Sequence, residues 1–323
     1  YAVNLDRWIV RTPAVISQTD TAGNLVNLTR LYYDGDPYKG LPLRTVVRGN
    51  LTRQEESLGP LGDNRFIPTK RQAFDAYGNV VGIMDGNGHL TTVEYDAPTH
   101  AFPIKESFHQ EHGRALTFTA DYDFGFGKII SATEFNNNTT RFTYDAFGRI
   151  ASIVRPGDTL ELPTQQFLYA LGSPRSSITT HQREQSGTDS ILTSVVFFDG
   201  LGRKLQTRSE AENGEVVVAN AMTFNARQSE RDQFLPYFAS DFAYQAPDPN
   251  LPHSSNEYDP LARTVRTINA DGSFTSVEFQ PLLQIQSDEE DNHSNSPYED
   301  TPKVLSYDGL ERLVGVTETN RIS

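Results

Sequence analysis

The sequence predicts an all-β fold in which many short antiparallel strands are joined by tight turns. Tyr and Phe number 14 and 19, against one Trp and two Met, and these aromatic residues are enriched in strands. The 23 Gly and 18 Pro favour frequent turns. No window of about 12 or more residues keeps a helical period. By contrast, residues 91–95, 115–122, 140–144 and 274–279 alternate as strands do.

A short pattern recurs along the chain. It consists of an aromatic residue, Asp, two variable residues, Gly, then Arg or Asn at the start of the next segment. Its five clearest copies are residues 74–80, 144–150, 198–204, 258–264 and 307–313. In the last two copies Ala262 and Glu311 replace the glycine. Weaker echoes lie at residues 33–34, 95–96, 122–123 and 224–225.

The chemistry of this pattern is that of a hairpin turn. An Asp side chain at the first turn position accepts hydrogen bonds from backbone N–H groups further on, and Gly takes the left-handed conformation that closes a bulged hairpin. We therefore interpret the repeated residues as turn formers and predict no catalytic role for them. The set is Asp75, Gly78, Asp145, Gly148, Arg149, Asp199, Gly202, Arg203, Asp259, Arg263, Asp308 and Arg312. Because a side chain raises the cost of a left-handed residue, the turns at Ala262 and Glu311 are expected to be strained or built differently.

The copies are unevenly spaced, which favours a continuous winding sheet over a regular array. Starts at 74, 95, 122 and 144 are 21, 27 and 22 residues apart, and the later gaps are 54, 60 and 49 residues. The polar stretch 173–190 predicts a long loop or hairpin tip. The Pro- and Asp-rich stretch 236–256 predicts another, and residues 288–295 form an acidic loop.

Composition excludes several functions. The formal net charge of −14 opposes binding to nucleic acid or to an anionic membrane. The absence of Cys removes disulfides, thiolate zinc sites and cysteine nucleophiles. No stretch is apolar enough to span a bilayer. The chain begins without Met or a signal-peptide pattern, so we expect a fragment whose targeting signals lie elsewhere.

No residue set predicts a cofactor, metal or catalytic site. His109 and His112 flank Glu111, but the segment lies in a predicted hairpin, where an exposed turn is the better interpretation. The acidic loop 288–295 could attract Ca²⁺, but it lacks the glycine and terminal Glu of an EF-hand. Neither Gly-x-Ser-x-Gly nor a phosphate-binding Gly-Lys loop occurs. Abundant Asp and Glu leave a carbohydrate-active enzyme as a minor hypothesis.

The copies resemble YD repeats, also called RHS repeats, over residues 71–323. Residues 32–43, which contain Tyr32-Tyr33-Asp34-Gly35 and Gly40-Leu41-Pro42-Leu43, resemble the middle region of the B component of bacterial insecticidal toxin complexes, the Tc toxins. Residues 269–273 and 301–304 fit the same region. YD repeats also occur in wall-associated polymorphic toxins of bacteria and in animal teneurins.

The resemblance implies a long, strongly curved antiparallel sheet that forms part of a hollow shell. Residues 1–70 would be a β-rich segment similar to the toxin middle region, and residues 71–323 the repeat sheet. The implied function is non-catalytic enclosure of a toxin or effector polypeptide. Its partners would be the rest of the shell, a C-type toxin component with its cargo, and an A-type pore component. The protein would be secreted or cell-surface associated. The alternative is a cell-surface adhesion or carbohydrate-binding module.

Overall fold

The computed structural model describes residues 1–58, 65–110 and 113–319. Apart from one short 3₁₀ turn at Glu212–Gly214, the regular elements in these ranges are strands, and all their pairings are antiparallel. Within these ranges, no helix has the length and hydropathy needed to cross a membrane. The chain divides into two compact units, residues 1–163 and 164–323. The all-β prediction is therefore confirmed.

Unit 1 is a meander of sequential hairpins. Its strands are β1 (Ala2–Asn4), β2 (Ile9–Thr12), β3 (Val15–Thr19), β4 (Leu25–Tyr33), β5 (Leu51–Ser57), β6 (Phe66–Phe74), β7 (Val80–Asp85), β8 (Leu90–Tyr95), β9 (Pro103–His109), β10 (Leu116–Asp123), β11 (Lys128–Thr133), β12 (Thr139–Tyr144) and β13 (Ile150–Val154). From β3 to β13 each strand pairs with the next one along the chain, and β1 pairs with β2. The register shifts within the last residues of β4, β6, β8, β10 and β12, as expected for a bulge beside each YD turn.

The connection 34–50 of unit 1 folds back over the sheet. It contributes Val46 to a small core with Leu31 and Tyr33, which are 3–6% exposed. The carboxylate of Asp34 accepts hydrogen bonds from the backbone N–H groups of residues 47–50 at 2.7–3.2 Å. Tyr38 reaches the sheet, where its ring lies against the backbone of Gly82 on β7. The Asp34 hydrogen bonds and the Tyr38–Gly82 contact therefore hold the connection 34–50 against the sheet.

Gly82→Ala is expected to lower the free energy of unfolding by about 1–2 kcal/mol, as overpacking does. A Cβ at Gly82 would overlap the Tyr38 hydroxyl and lie 3.1 Å from Cζ of that ring. The sign is informative, because Gly→Ala in a strand normally stabilises by about 0.5–1 kcal/mol. Urea unfolding measures the effect, and in a Tyr38→Ala background the substitution should become neutral or stabilising. A loss that persists in that background would contradict the contact.

Unit 2 contains two sheets. Its strands are β14 (Gln165–Ala170), β15 (Arg175–Arg183), β16 (Ile191–Asp199), β17 (Lys204–Glu210), β18 (Val216–Ala219), β19 (Ala221–Phe224), β20 (Glu230–Phe234), β21 (Tyr237–Ala239), β22 (His253–Tyr258), β23 (Thr264–Ile268), β24 (Phe274–Gln280), β25 (Leu283–Ser287), β26 (Lys303–Tyr307) and β27 (Leu313–Thr317). The first sheet has the order β14-β15-β16-β17-β18-β21. The second, of eight strands, has the order β19-β20-β22-β23-β24-β25-β26-β27.

The connection 240–252 of unit 2 packs on the first sheet and buries an arginine. The side chain of Arg208 on β17 is 1% exposed. Its guanidinium donates to the Gln206 Oε1 atom at 2.8 Å and to the Asp241 carbonyl at 2.7 Å. Gln206, also buried, donates to the carbonyl of Gln245 at 2.7 Å, and Tyr244 stacks edge-on with Phe197. Hydrogen bonds from Arg208 and Gln206, together with the Tyr244–Phe197 ring contact, therefore hold the connection 240–252 against the first sheet.

Several expectations can be compared with these elements. Residues 91–95, 115–122, 140–144 and 274–279 lie in β8, β10, β12 and β24, or extend one residue before them. Of the two predictions for 173–190, a long loop over the whole stretch is wrong, because β15 occupies 175–183, and a hairpin tip is found only at 184–190, between β15 and β16. The Ser and Thr residues of β15 are β-compatible side chains that pair with β14 and β16. The division at residue 70 remains a prediction, and β6 runs across it.

Candidate functional site

The five YD turns share one backbone geometry. In the copy at Asp145, the backbone N–H of Asp145 donates to the Arg149 carbonyl and that of Gly148 donates to the Asp145 carbonyl, both at 2.9 Å. The Asp145 Oδ1 atom accepts from the N–H groups of Phe147 and Arg149, also at 2.9 Å. The same bonds recur at Asp75, Asp199, Asp259 and Asp308. Asp is thus the acceptor that organises each turn, as the sequence predicts.

The residue four positions after Asp closes the turn through its side chain. Arg149 donates from Nε and Nη2 to Asp145 Oδ2 at 2.7 and 2.6 Å. Arg203, Arg263 and Arg312 do the same to Asp199, Asp259 and Asp308 at 2.6–2.8 Å. We call this Asp–Arg arrangement the Asp clasp. Its two guanidinium N–H groups converge on one carboxylate oxygen, Oδ2, which leaves Oδ1 to the backbone N–H groups.

The clasp is more widespread than the sequence pattern indicates. In the Asp75 turn the Nδ2 atom of Asn79 takes the place of the guanidinium at 3.0 Å. Asn24 closes the turn at Asp20 in the same way, and His89 closes that at Asp85 through Nδ1 at 2.8 Å. The sequence pattern predicts only that the Arg or Asn starts the return strand. Their constant spacing of four residues from Asp was the signal for a clasp.

The clasp holds the turn carboxylates ionised. Burial raises the pKa of Asp145, but the N–H groups of Arg149 and Phe147 and the guanidinium of Arg149 outweigh it, so the pKa lies below its usual value. Asp199 and Asp259 behave alike. At Asp308 the Arg312 side chain is the largest cause of the lowered pKa. Each carboxylate therefore contributes most to the turn when it is charged.

The turns that lack glycine are built in the same way as the others. Gly78, Gly148 and Gly202 have φ values of 92°, 70° and 78°, and Ala262 and Glu311 have 63° and 60°. Of the two outcomes expected for Ala262 and Glu311, the backbone shows the strained one. The left-handed region costs a non-glycine residue about 1–2 kcal/mol, and the clasp at Asp259 or Asp308 overcomes that cost.

Ala262→Gly is therefore expected to raise the free energy of unfolding by about 0.5–1 kcal/mol, after the entropy cost of glycine is subtracted. Gly202→Ala is the matched reverse change, because no atom lies within 4 Å of the added Cβ and only the backbone strain acts. It should destabilise by about 1 kcal/mol. Thermal and urea unfolding of both variants measure the pair. Equal signs for the two substitutions would refute backbone strain as the cause.

Two of the weaker echoes organise longer connections. Asp96 is 2% exposed and accepts from the N–H groups of Thr99, Ala101 and Phe102 and from the Thr99 hydroxyl at 2.6–2.8 Å. Burial raises its pKa, but these bonds dominate and lower it strongly. Asp34 likewise accepts hydrogen bonds from the backbone N–H groups of residues 47–50. The aspartate of the pattern therefore caps long connections as well as tight turns.

The tyrosine of the pattern joins neighbouring hairpins. The Tyr144 hydroxyl donates to the Ile129 carbonyl at 2.7 Å, and that of Tyr258 donates to the Glu230 carbonyl at 2.6 Å. Tyr33 makes the equivalent bond to Pro13 at 2.7 Å. The copies with Phe74 and Phe198 lack this hydroxyl. Each such bond spans to the preceding hairpin, so the repeat stabilises the sheet between hairpins as well as within them.

Consecutive turns also touch along one edge of each unit. In unit 1 the Lys128 ammonium donates to the Gly148 carbonyl at 2.7 Å. In unit 2 Arg203 donates to the Gln228 carbonyl at 2.9 Å, and Arg227 donates to the Pro260 carbonyl at 3.0 Å. Arg263 lies over the Phe279 ring at 4.1 Å. The turns thus form a connected row rather than separate loops.

The other candidate residues have structural surroundings. His109 Nε2 lies 3.0 Å from the Thr92 hydroxyl, whereas Glu111 and His112 lie outside the described residues. In the acidic loop, Asp291 accepts from the N–H groups of Asp288 and Thr301 and from the Thr301 hydroxyl. Over residues 1–58, 65–110 and 113–319, no group of three or more His, Asp or Glu is placed to hold a metal ion.

Comparison with known proteins identifies the fold. The chain superposes on the crystal structure of TcdB2-TccC3 with a TM-score of 0.71 over 91% of its length at 18% sequence identity. The chain has the RHS-shell fold of Tc toxins. The TcdB2-TccC3-Cdc42 structure gives the same TM-score at 16% identity and 93% coverage. The Photorhabdus luminescens Tc holotoxin pore carrying TccC3-D651A gives 0.67 at 16% identity and 91% coverage. The predicted resemblance in fold is confirmed.

The extent of these matches bounds what they imply. This chain spans about a fifth of the structures it matches, 19%, 22% and 21% of their chains respectively. Residues 172–306 match a family described as a domain of unknown function, DUF6443. No curated protein sequence matches the chain. The similarity in structure therefore establishes the fold, and the activity of any whole protein is a matter for proposal.

Proposed function

We propose that this chain is a non-catalytic section of an RHS-type shell that encloses a toxin or effector polypeptide. The observation that supports it most is the match of over nine-tenths of the chain to the TcdB2-TccC3 fold. The Asp clasps support it independently, because the recurring Asp and Arg of each repeat fix the turns, and bonds between consecutive turns link the hairpins. Such a repeat yields a stiff, extendable sheet suited to a wall.

The partners follow from the same proposal. They are the rest of the shell, a C-type toxin component with the cargo that it supplies, and an A-type pore component. The location proposed is outside the bacterial cell or on its surface. We propose no nucleic-acid partner and no insertion into a membrane, because the net charge of −14 repels anionic polymers and anionic lipid surfaces alike.

Protection of a cargo tests enclosure directly. The chain, in the polypeptide in which it occurs, is co-expressed with a C-type component, and the purified complex is exposed to protease. We expect the cargo to survive while the complex is native and to be cut once urea opens the wall. Cargo cut at equal rates with and without urea would contradict enclosure. A small-angle scattering profile of a solid globule would contradict a shell wall.

The directions of the carboxyl pKa shifts disfavour a glycosidase. A glycosidase needs a carboxylic acid whose pKa is raised so that it stays protonated. Among the described residues, every carboxyl group with a shifted pKa is shifted downward, including Asp145, Asp199 and Asp232. These groups are ionised acceptors of structural hydrogen bonds. Hydrolysis of a panel of glycosides by the purified chain would overturn the non-catalytic role.

A carbohydrate-binding module is the second candidate, because two turn tips present exposed aromatic rings. Tyr77 is 67% exposed and Phe147 is 78% exposed. Aromatic rings can stack on sugars, but the same turn position is leucine in the other three copies, and leucine lacks a ring face. The repeat as a whole is therefore not a sugar platform. Glycan-array binding that is lost in Tyr77→Ala or Phe147→Ala would favour this candidate over the shell.

A further inference from the structure

The row of turns in unit 2 has an exposed apolar tip at nearly every position. We call the row the YD edge, and it comprises residues 199–203, 225–229, 259–263, 281–282 and 308–312. Leu201, Leu261 and Leu310 occupy the same turn position and are 63%, 74% and 73% exposed, and Leu282 is 53% exposed. A single exposed leucine needs no explanation, but a contiguous row of apolar side chains marks an interaction surface.

Turn geometry does not require these leucines. The hydrogen bonds of the turn use only the backbone N–H of Leu201, Leu261 or Leu310, and the clasp lies between the flanking Asp and Arg. A polar residue would make the same bonds and would be better solvated at that position. The side chain is therefore free to serve contact with another surface.

Most of the charge that the YD edge exposes to solvent is positive, and Glu311 is the exposed anion within it. The clasped Asp199, Asp259 and Asp308 side chains are only 14–24% exposed. Their guanidinium partners are 30%, 44% and 72% exposed. Arg227 adds a fourth cation to the row. A partner for this edge should combine apolar side chains with carboxylates.

The opposite ends of the same strands carry that complementary charge. Their connections are residues 184–190, 211–215, 269–273 and 288–302, which we call the acidic edge. These segments contain eleven Asp and Glu and no Lys or Arg. Tyr298 within them is 57% exposed. The acidic edge thus offers the carboxylates and an exposed aromatic ring that a partner of the YD edge should have.

The two edges also match in period. Successive turns of the YD edge in the eight-stranded sheet lie two strands apart, as do the acidic connections between β23 and β24 and between β25 and β26. Two strands correspond to about 10 Å. The four turns of the YD edge in this sheet then form a row about 30 Å long. One edge can therefore interdigitate with the other.

We propose that the YD edge of unit 2 docks onto the acidic edge of a second copy of this chain. The contact is head-to-tail, so each copy keeps one free edge and longer stacks can form. A strip about 30 Å by 15 Å offers roughly 450 Å² per partner, about half of a standard interface. Association should therefore be weak, with a Kd of tens of micromolar or more, and sensitive to salt because charges face each other.

Sedimentation velocity of the purified chain at concentrations up to about 0.5 mM tests this proposal. We expect concentration-dependent association at low salt that weakens in about 0.5 M NaCl. Leu261→Asp/Leu310→Asp should weaken the association constant about tenfold or more, because it places carboxylates opposite carboxylates. Glu212→Lys/Glu215→Lys on the acidic edge should weaken it as well.

Leu168→Asp is the matched control. Leu168, within β14, is also an exposed leucine of unit 2, at 48%, but it lies outside both the YD edge and the acidic edge. It should leave association unchanged, and circular dichroism should show all variants folded. A chain that stays monomeric at low salt and high concentration overturns the proposal. So does a Leu168→Asp effect equal to that of the YD-edge variant. Neither result bears on cargo enclosure, which is tested separately.

Discussion

Arg208→Ala is expected to lower the free energy of unfolding by about 3 kcal/mol or more. The guanidinium is buried and bonds to the Gln206 amide oxygen and to the Asp241 carbonyl. Removing it leaves the buried Gln206 oxygen without that donor, at about 1–3 kcal/mol, and opens a cavity where the fully buried side chain was. The loop 240–252 should loosen first, so hydrogen exchange at residues 241–245 should rise more than elsewhere in unit 2.

Arg231→Ala provides the control for this prediction. Arg231 is 58% exposed and forms an ion pair with Asp232 near the protein surface. Its loss should cost less than about 1 kcal/mol, as exposed ion pairs do. Urea unfolding of the two variants gives the comparison. Equal losses of unfolding free energy in the two variants would show that neither the burial of Arg208 nor its bonds to the loop contribute to stability.

Acid is expected to destabilise the fold through the clasps. Their Asp pKa values are lowered in the folded chain. A lowered folded pKa gives stability that is fully present above the unfolded value, about 3.9, and is lost as the pH falls through the folded value. The free energy of unfolding should therefore be nearly constant from about pH 7 to 5 and decline below about pH 4. Urea titrations at several pH values measure the decline.

Substitution separates the clasps from other acidic groups. Asp199→Asn keeps an oxygen acceptor for the turn N–H groups but removes the charge that Arg203 binds. The variant should be less stable at pH 7 and should lose less stability on acidification. Glu212→Gln, at an exposed position of the acidic edge, should leave the decline unchanged. An unaltered acid decline in Asp199→Asn would show that the lowered pKa of this group does not contribute.

The turns were predictable from sequence because their chemistry is local. Asp, Gly and a four-residue spacing specify the hairpin at Asp145 without reference to anything distant. The bond from Arg149 back to Asp145 was not predicted. An Arg at the start of a strand looks the same in the sequence whether its side chain bonds to its own turn or faces solvent. At Ala262 and Glu311 the sequence predicts either strain or a different turn and does not indicate which of the two occurs. A clasp can hold a left-handed backbone that the residue itself disfavours.

The features that escaped prediction depend on residues far apart in the chain. Stretch 236–256 predicts a polar loop, but β21 and the first residues of β22 lie within it. Tyr244 and the Asp241 carbonyl anchor the remaining connection to strand residues 47 and 33 positions away in the chain. Arginine is seldom fully buried, so nothing in the sequence singles out Arg208. The polar strand β15 was missed because its Ser and Thr face neighbouring strands, and polarity alone suggested a loop.

The sequential pairing of β3 to β13 has a mechanical consequence. Between β4 and β12, each strand is hydrogen-bonded to the strands before and after it along the chain. Tension applied at one end therefore reaches a single hairpin at a time, and each hairpin is closed by its own turn. The sheet should yield by peeling, one hairpin after another, and each released hairpin can re-form locally without waiting for distant segments.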